Sequence, residues 1–135
     1  MSPNYEMLAK AIEKEPFLID GQLKYGDNVC SVGALSKYLG FWGKYVEYGK
    51  IKFLESDSKS ARLAKERLIR KINKSGFYAV EKRGDFTYQI VAREQSRLNQ
   101  IVNQNDGKFE TGGARKERML KWAKCMARNG QGETP

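Results

Sequence analysis

Arginine and lysine dominate the side chains that could do chemistry in this chain, and they are concentrated. Residues 61–83 hold eight basic and two acidic side chains, and residues 114–128 hold six and one, so these two stretches together exceed the whole chain's net charge of +9. Guanidinium and ammonium groups carry positive charge and several N–H donors. They bind anions, and phosphate above all. Charge needed only for solubility can be spread evenly, whereas clustering is the footprint of a binding surface.

Other chemistries lack their parts. Histidine is absent, which removes Ser-His and Cys-His pairs. Cys30 and Cys125 are the two cysteines. They cannot supply the four N/S ligands of a zinc site and are read as reduced thiols. The acids Asp20, Asp27, Glu47, Glu55, Asp57, Glu81 and Asp85 stand in no acid/base or metal spacing. Glu81-Lys82 lacks the upstream acid of a nuclease strand, and Thr111-Gly112-Gly113 lacks the lysine of a phosphate-cradling loop. The expectation is a binding protein, with no catalytic residue, no metal and no cofactor.

The elements that must position the cations follow from periodicity. Pro3 to Glu15 reads as a helix capped by Ser2, with Met7, Leu8, Ala11 and Ile12 inward and Pro16 as its stop. Leu23 to Tyr25 reads as an extended piece, and Ser31 to Leu39 as a short helix with Ser31 as N-cap and Gly40 as C-terminal stop. Ile51 to Leu54 is a candidate strand. Ser60 to Lys74 is the clearest helix. Ala61, Ala64, Leu68, Ile69 and Ile72 fall on one arc, and Arg62, Arg67, Arg70, Lys71 and Lys74 on the opposite half. Residues 77–81 and 86–91 are aromatic and β-branched around Lys82-Arg83-Gly84-Asp85, the pattern of a β-hairpin. Arg93 to Gln104 is predicted helical with Leu98, Ile101 and Val102 inward, and Asn105 to Gly113 is a polar loop. Ala114 to Arg128 is predicted as a last helix, with Met119, Leu120, Ala123, Met126 and Ala127 on one face and Lys121, Lys124 and Arg128 opposite.

The order helix, helix, basic helix, hairpin over residues 31–91 resembles the winged helix-turn-helix family of DNA-binding domains. The resemblance implies that the helix Ser60 to Lys74 enters the major groove and that the hairpin tip, Lys82-Arg83-Gly84-Asp85, is the wing. The segment from Phe41 to Ser58 departs from the pattern, since a compact turn is usual there. A second placement, Val32 through Val46 with its turn at Gly40, also resembles a helix-turn-helix. The aromatic cluster Phe41, Trp42, Tyr45, Tyr48 and Phe53 is read as core in preference to a base-stacking platform.

The fold expected is α+β, a mostly helical, winged-helix-like single domain with a β-hairpin, plus a C-terminal basic helix. Residues 1–104 are assigned to the nucleic-acid-binding domain, and residues 105–135 to a linker, the basic helix and a flexible tail. The function expected is DNA-binding regulation through Arg62, Lys65, Arg67, Arg70, Lys71 and Lys74 on the helix and Lys82 and Arg83 on the wing. Lys121, Lys124 and Arg128 are expected to add phosphate contacts. DNA is favoured over RNA as partner. The competing expectation is an accessory or inhibitory factor, of the phage or plasmid type, docking on an acidic protein surface; a homodimer is a further expectation. No apolar run approaches the roughly 20 residues of a membrane span, and the first residues lack the pattern of a secretory signal, so a cytoplasmic location is expected.

Overall fold

The computed structural model describes residues 2–22, 24–41, 46–47, 50–52, 59–84 and 87–129. Among them the chain forms an α+β domain of five helices and two small antiparallel sheets. Helix α1 (Tyr5–Glu13) leads to the hairpin β1 (Lys24–Tyr25) and β2 (Asn28–Val29), then helix α2 (Ser31–Leu39). Strands β3 (Val46–Glu47) and β4 (Lys50–Lys52) precede the long helix α3 (Lys59–Lys74). Strands β5 (Tyr78–Lys82) and β6 (Thr87–Ala92) follow, then helices α4 (Gln95–Asn105) and α5 (Gly112–Asn129). The larger sheet has the order β3-β4-β6-β5.

Helix α1 is capped by Asn4, whose Oδ1 accepts from the Met7 N–H at 3.1 Å. Ser2, expected in that role, instead lies against Gly76 together with Pro3. The Asn4 N–H donates to the Ser75 carbonyl at 2.7 Å. The first residues are thereby fastened to the end of α3.

Helix α2 is nearly surrounded. Ser31 through Ser36 and Leu39 are all buried, and Gly40 closes the helix in the left-handed region at φ 87°. Its cap is the Cys30 sulfur, which accepts from the Gly33 N–H at 3.5 Å. Ser31, the expected cap, is already inside the helix. Its N–H and hydroxyl both donate to Asn105 Oδ1, at 3.0 and 2.7 Å.

Asn105 was assigned to a solvated loop by its polarity; the structure buries it completely at the end of α4. Besides serving Ser31, it donates to the Ile19 carbonyl at 2.9 Å. Arg115 is also buried and donates to the carbonyls of Asn105 and Lys108. Arg118 grips Glu110 and the carbonyls of Gln104 and Asn105. The Arg118 hydrogen bonds hold the Glu110 carboxyl below its usual range, against a smaller opposing effect of desolvation. Two of the six cations in residues 114–128 are thus spent on closing the α4–α5 corner. Asn105→Ala strands two buried Ser31 donors and the Ile19 carbonyl. The expected cost is about 3 kcal/mol, read as a lowered urea midpoint with an unchanged slope.

The core joins all five helices to the hairpin. Tyr5, Leu8 and Ile12 of α1 pack with Met119, Trp122, Ala123 and Met126 of α5, and with Leu35 and Leu39 of α2. The Tyr5 ring stands edge-on to both Phe77 and Trp122, at centroid distances of 5.2 and 5.8 Å. Helix α5, assigned by composition to an appended segment, therefore shares the core of α1. Two helices present a different face to the core from the one periodicity predicts. Val102 and Ala127 are exposed instead of inward, because α4 packs along Leu98, Ile101 and Asn105 and α5 along Met119, Trp122, Ala123 and Met126.

Hairpin β5–β6 holds the register Val80↔Ile90 and Glu81↔Gln89, and β4 adds to β6 through Ile51↔Tyr88. Two backbone groups of β5 are met by side chains: the Val80 N–H donates to Asn73 Oδ1 at 3.0 Å, and Arg93 Nε donates to the Tyr78 carbonyl at 3.3 Å. The Arg93 N–H continues the ladder with β6 by donating to the Phe77 carbonyl at 3.0 Å. The second helix-turn-helix placement needs a helix after Gly40, but Val46 and Glu47 lie in β3. Of the aromatic cluster, Phe41 is buried edge-on against Tyr78 at 5.0 Å. Trp42, Tyr45, Tyr48 and Phe53 lie outside the described residues.

Candidate nucleic-acid interface

Helix α3 is 16 residues long, and among its described residues burial is greatest toward its C-terminal end. Ile72 is fully buried and Leu68 and Ile69 are half-buried, whereas Leu63 and Ala64, two turns earlier, are exposed. The apolar arc read from the sequence is used over its last two turns. Ala64 stands in solvent.

Around this axis, at about 100° per residue, the expected cations separate into three groups. Arg67, Arg70 and Lys74 lie opposite Ile72 and form one exposed strip, continued toward the N-terminus by Leu63. Arg62 flanks the strip and is exposed. Among the described residues, none of these four cations is paired with a carboxylate.

Lys65 and Lys71 are turned away from the strip. Lys65 is half-buried, its ammonium 5.4 Å from the centroid of the Tyr88 ring on the sheet. The Lys71 ammonium lies 4.2 Å from the centroid of the Tyr38 ring on α2. The tip of the hairpin also divides. Lys82 is exposed. Arg83 bonds back to Gln89 at 2.9 Å and to the Glu81 carboxylate, so it is tethered along its own strands. Asp85 lies outside the described residues.

The remaining three expected cations sit on another helix. Lys121, Lys124 and Arg128 are exposed on α5, which packs on α1 and α4. Lys124 and Arg128 share a groove with Glu6, Lys10 and Glu13 of α1. The mixed sign of that groove makes it a poorer seat for phosphate than the strip on α3.

The strip suits a polyanion geometrically. Arg67, Arg70 and Lys74 follow one another at spacings of three and four residues, so their side chains neighbour one another on the helix surface. Arginine can hold a phosphate through two parallel N–H donors or reach a guanine edge in the major groove. Among the described residues no group of three His, Cys, Asp or Glu side chains could hold a metal. No described helix is long and apolar enough to cross a membrane. Comparison with protein-family models, with curated proteins and with solved structures returns no match.

Proposed function

We propose that the chain is a cytoplasmic DNA-binding regulatory protein, winged-helix-like in the use of its parts. Helix α3 lays Arg67, Arg70 and Lys74 against the duplex, with Arg62 at the flank and Lys82 approaching from the hairpin. Most of these contacts fall on phosphates, and one or two arginines read base edges. The observation carrying this reading is the exposed strip on α3, three cations that pair with no carboxylate among the described residues.

The test is a salt titration of binding to random duplex DNA, single-stranded DNA and structured RNA. Tight duplex binding is expected, with log affinity falling by roughly 0.9 per phosphate contacted for each unit of log salt. Preference for structured RNA would transfer the same strip to an RNA partner. Negligible binding to all three near physiological salt would overturn the reading.

One observation favours docking on a protein instead. Phe109, between α4 and α5, is fully exposed, and Tyr25 at the β1–β2 turn is 70% exposed. Exposed aromatic rings anchor protein interfaces. Both stand on elements other than the α3 strip.

A further inference from the structure

Helix α3 carries one large apolar side chain on its polar half. At about 100° per residue Leu63 falls directly opposite Ile72, between the lines of Arg70 and Lys74. It is 37% exposed, while Ile72 is fully buried and Leu68 and Ile69 are half-buried. Lys59 and Arg67, four residues before and after it, are both exposed, so cations bracket it along the helix surface. Singly exposed apolar residues are common on protein surfaces. Leu63 is set apart by its place, in the middle of the basic strip.

A leucine has nothing to offer a phosphate. On duplex DNA the cations around it suit phosphates and guanine edges. Among the groups that base pairs present in the major groove, the apolar one is the C5-methyl of thymine. Covering that methyl with a leucine side chain removes apolar surface of both partners from water. The other large apolar residues of α3, Leu68, Ile69 and Ile72, lie on the opposite half of the helix.

We propose that Leu63 reads thymine. It packs on C5-methyl groups in the major groove while Arg67, Arg70 and Lys74 hold the backbone beside them. The inference rests on the DNA-binding reading of the strip and deepens it. The interface then prefers A·T base pairs at the positions facing Leu63. It also prefers DNA to RNA there, because uracil lacks the methyl and the major groove of an RNA helix is too narrow to read.

The full-length chain is titrated with two duplexes of one alternating adenine–thymine sequence, the second built with deoxyuridine in place of thymidine. The two carry the same phosphates and differ only in the methyl groups. The unaltered chain is expected to bind the thymine duplex about fourfold more tightly for each methyl covered, with equal salt slopes on both. In Leu63→Ser the preference is expected to vanish while the salt slope stays as it was. Leu63→Met keeps an apolar side chain of similar volume and is expected to keep the preference. Circular dichroism confirms that each variant remains folded. Equal affinity of the unaltered chain for the two duplexes, or a thymine preference that persists in Leu63→Ser, overturns the proposal and leaves the DNA reading standing. Failure to bind either duplex overturns both.

Discussion

Replacing Arg70 and Lys74 together by glutamate is expected to weaken duplex binding by about a hundredfold or more near 0.1 M salt. Both side chains are exposed on the outer strip of α3 and pair with no acid among the described residues. On the proposed reading, the change removes two phosphate contacts and puts two repulsive charges in their place. Thermal unfolding is expected to stay nearly unchanged, because neither side chain packs in the core. A gel-shift or anisotropy titration checks the first expectation, and a melting curve the second. Retained binding in the folded double variant would remove α3 from the interface. The matching change on α5, Lys124 and Arg128 to glutamate, is expected to matter less, since those cations already share a groove with Glu6 and Glu13.

Gly76→Ala is expected to be the most damaging single substitution for the fold. Gly76 holds φ at +71°, and a Cβ there would stand 1.9 Å from the Ser2 carbonyl oxygen and 2.9 Å from the Pro3 Cα. The obstruction is backbone, which cannot swing aside as a flexible side-chain end can. Either the clamp between residues 2–4 and the end of α3 opens, or α3 shifts from α1. The Asn4–Ser75 hydrogen bond and the edge-on seat of Tyr5 on Phe77 are lost in both cases. A loss of roughly 3–5 kcal/mol is expected, enough to remove much of the stability of a domain this size. Gly113→Ala is the control. Nothing lies within 4 Å of its added Cβ, and alanine in the first turn of α5 is expected to be neutral or stabilising by a few tenths of a kcal/mol. Denaturant midpoints of the two variants make the comparison.

Much of the element order could be read along the chain because local signals agreed with the final packing. Residues 31–39 carry a helical apolar pattern closed by Gly40, and α2 spans those residues. Residues 60–74 alternate charge and apolar groups at helical spacing, and α3 runs from Lys59 to Lys74. The hairpin at residues 78–92 followed from β-branched and aromatic flanks around a glycine. What could not be read was which polar residue the fold would bury. Asn105, Arg115 and Arg118 resemble surface residues in type. Their burial depends on the α4–α5 corner needing donors for its last carbonyls, a demand that exists only once the helices meet.

The candidate site was legible in part for the same reason. Periodicity placed Arg67, Arg70 and Lys74 outward, and they are outward. Lys65 was set among the binding residues by its charge, but an inward neighbour of Ile72 must lie over the sheet, and Tyr88 receives it. Arg83 was assigned to the wing by its position at the tip. Strand geometry puts Glu81, Arg83 and Gln89 on one side of the hairpin, where opposite charge and hydrogen bonding hold it down.

The side-chain contacts of β5 have a consequence for how copies of this protein meet. A bare strand edge offers a row of N–H and C=O groups on which a second chain can add a strand, the first step toward aggregation or domain swapping. Here the Val80 N–H is taken by Asn73 and the Tyr78 carbonyl by Arg93. A strand arriving from a neighbouring molecule would have to break bonds already made before forming its own. Copies meeting at this edge therefore find part of its template already taken.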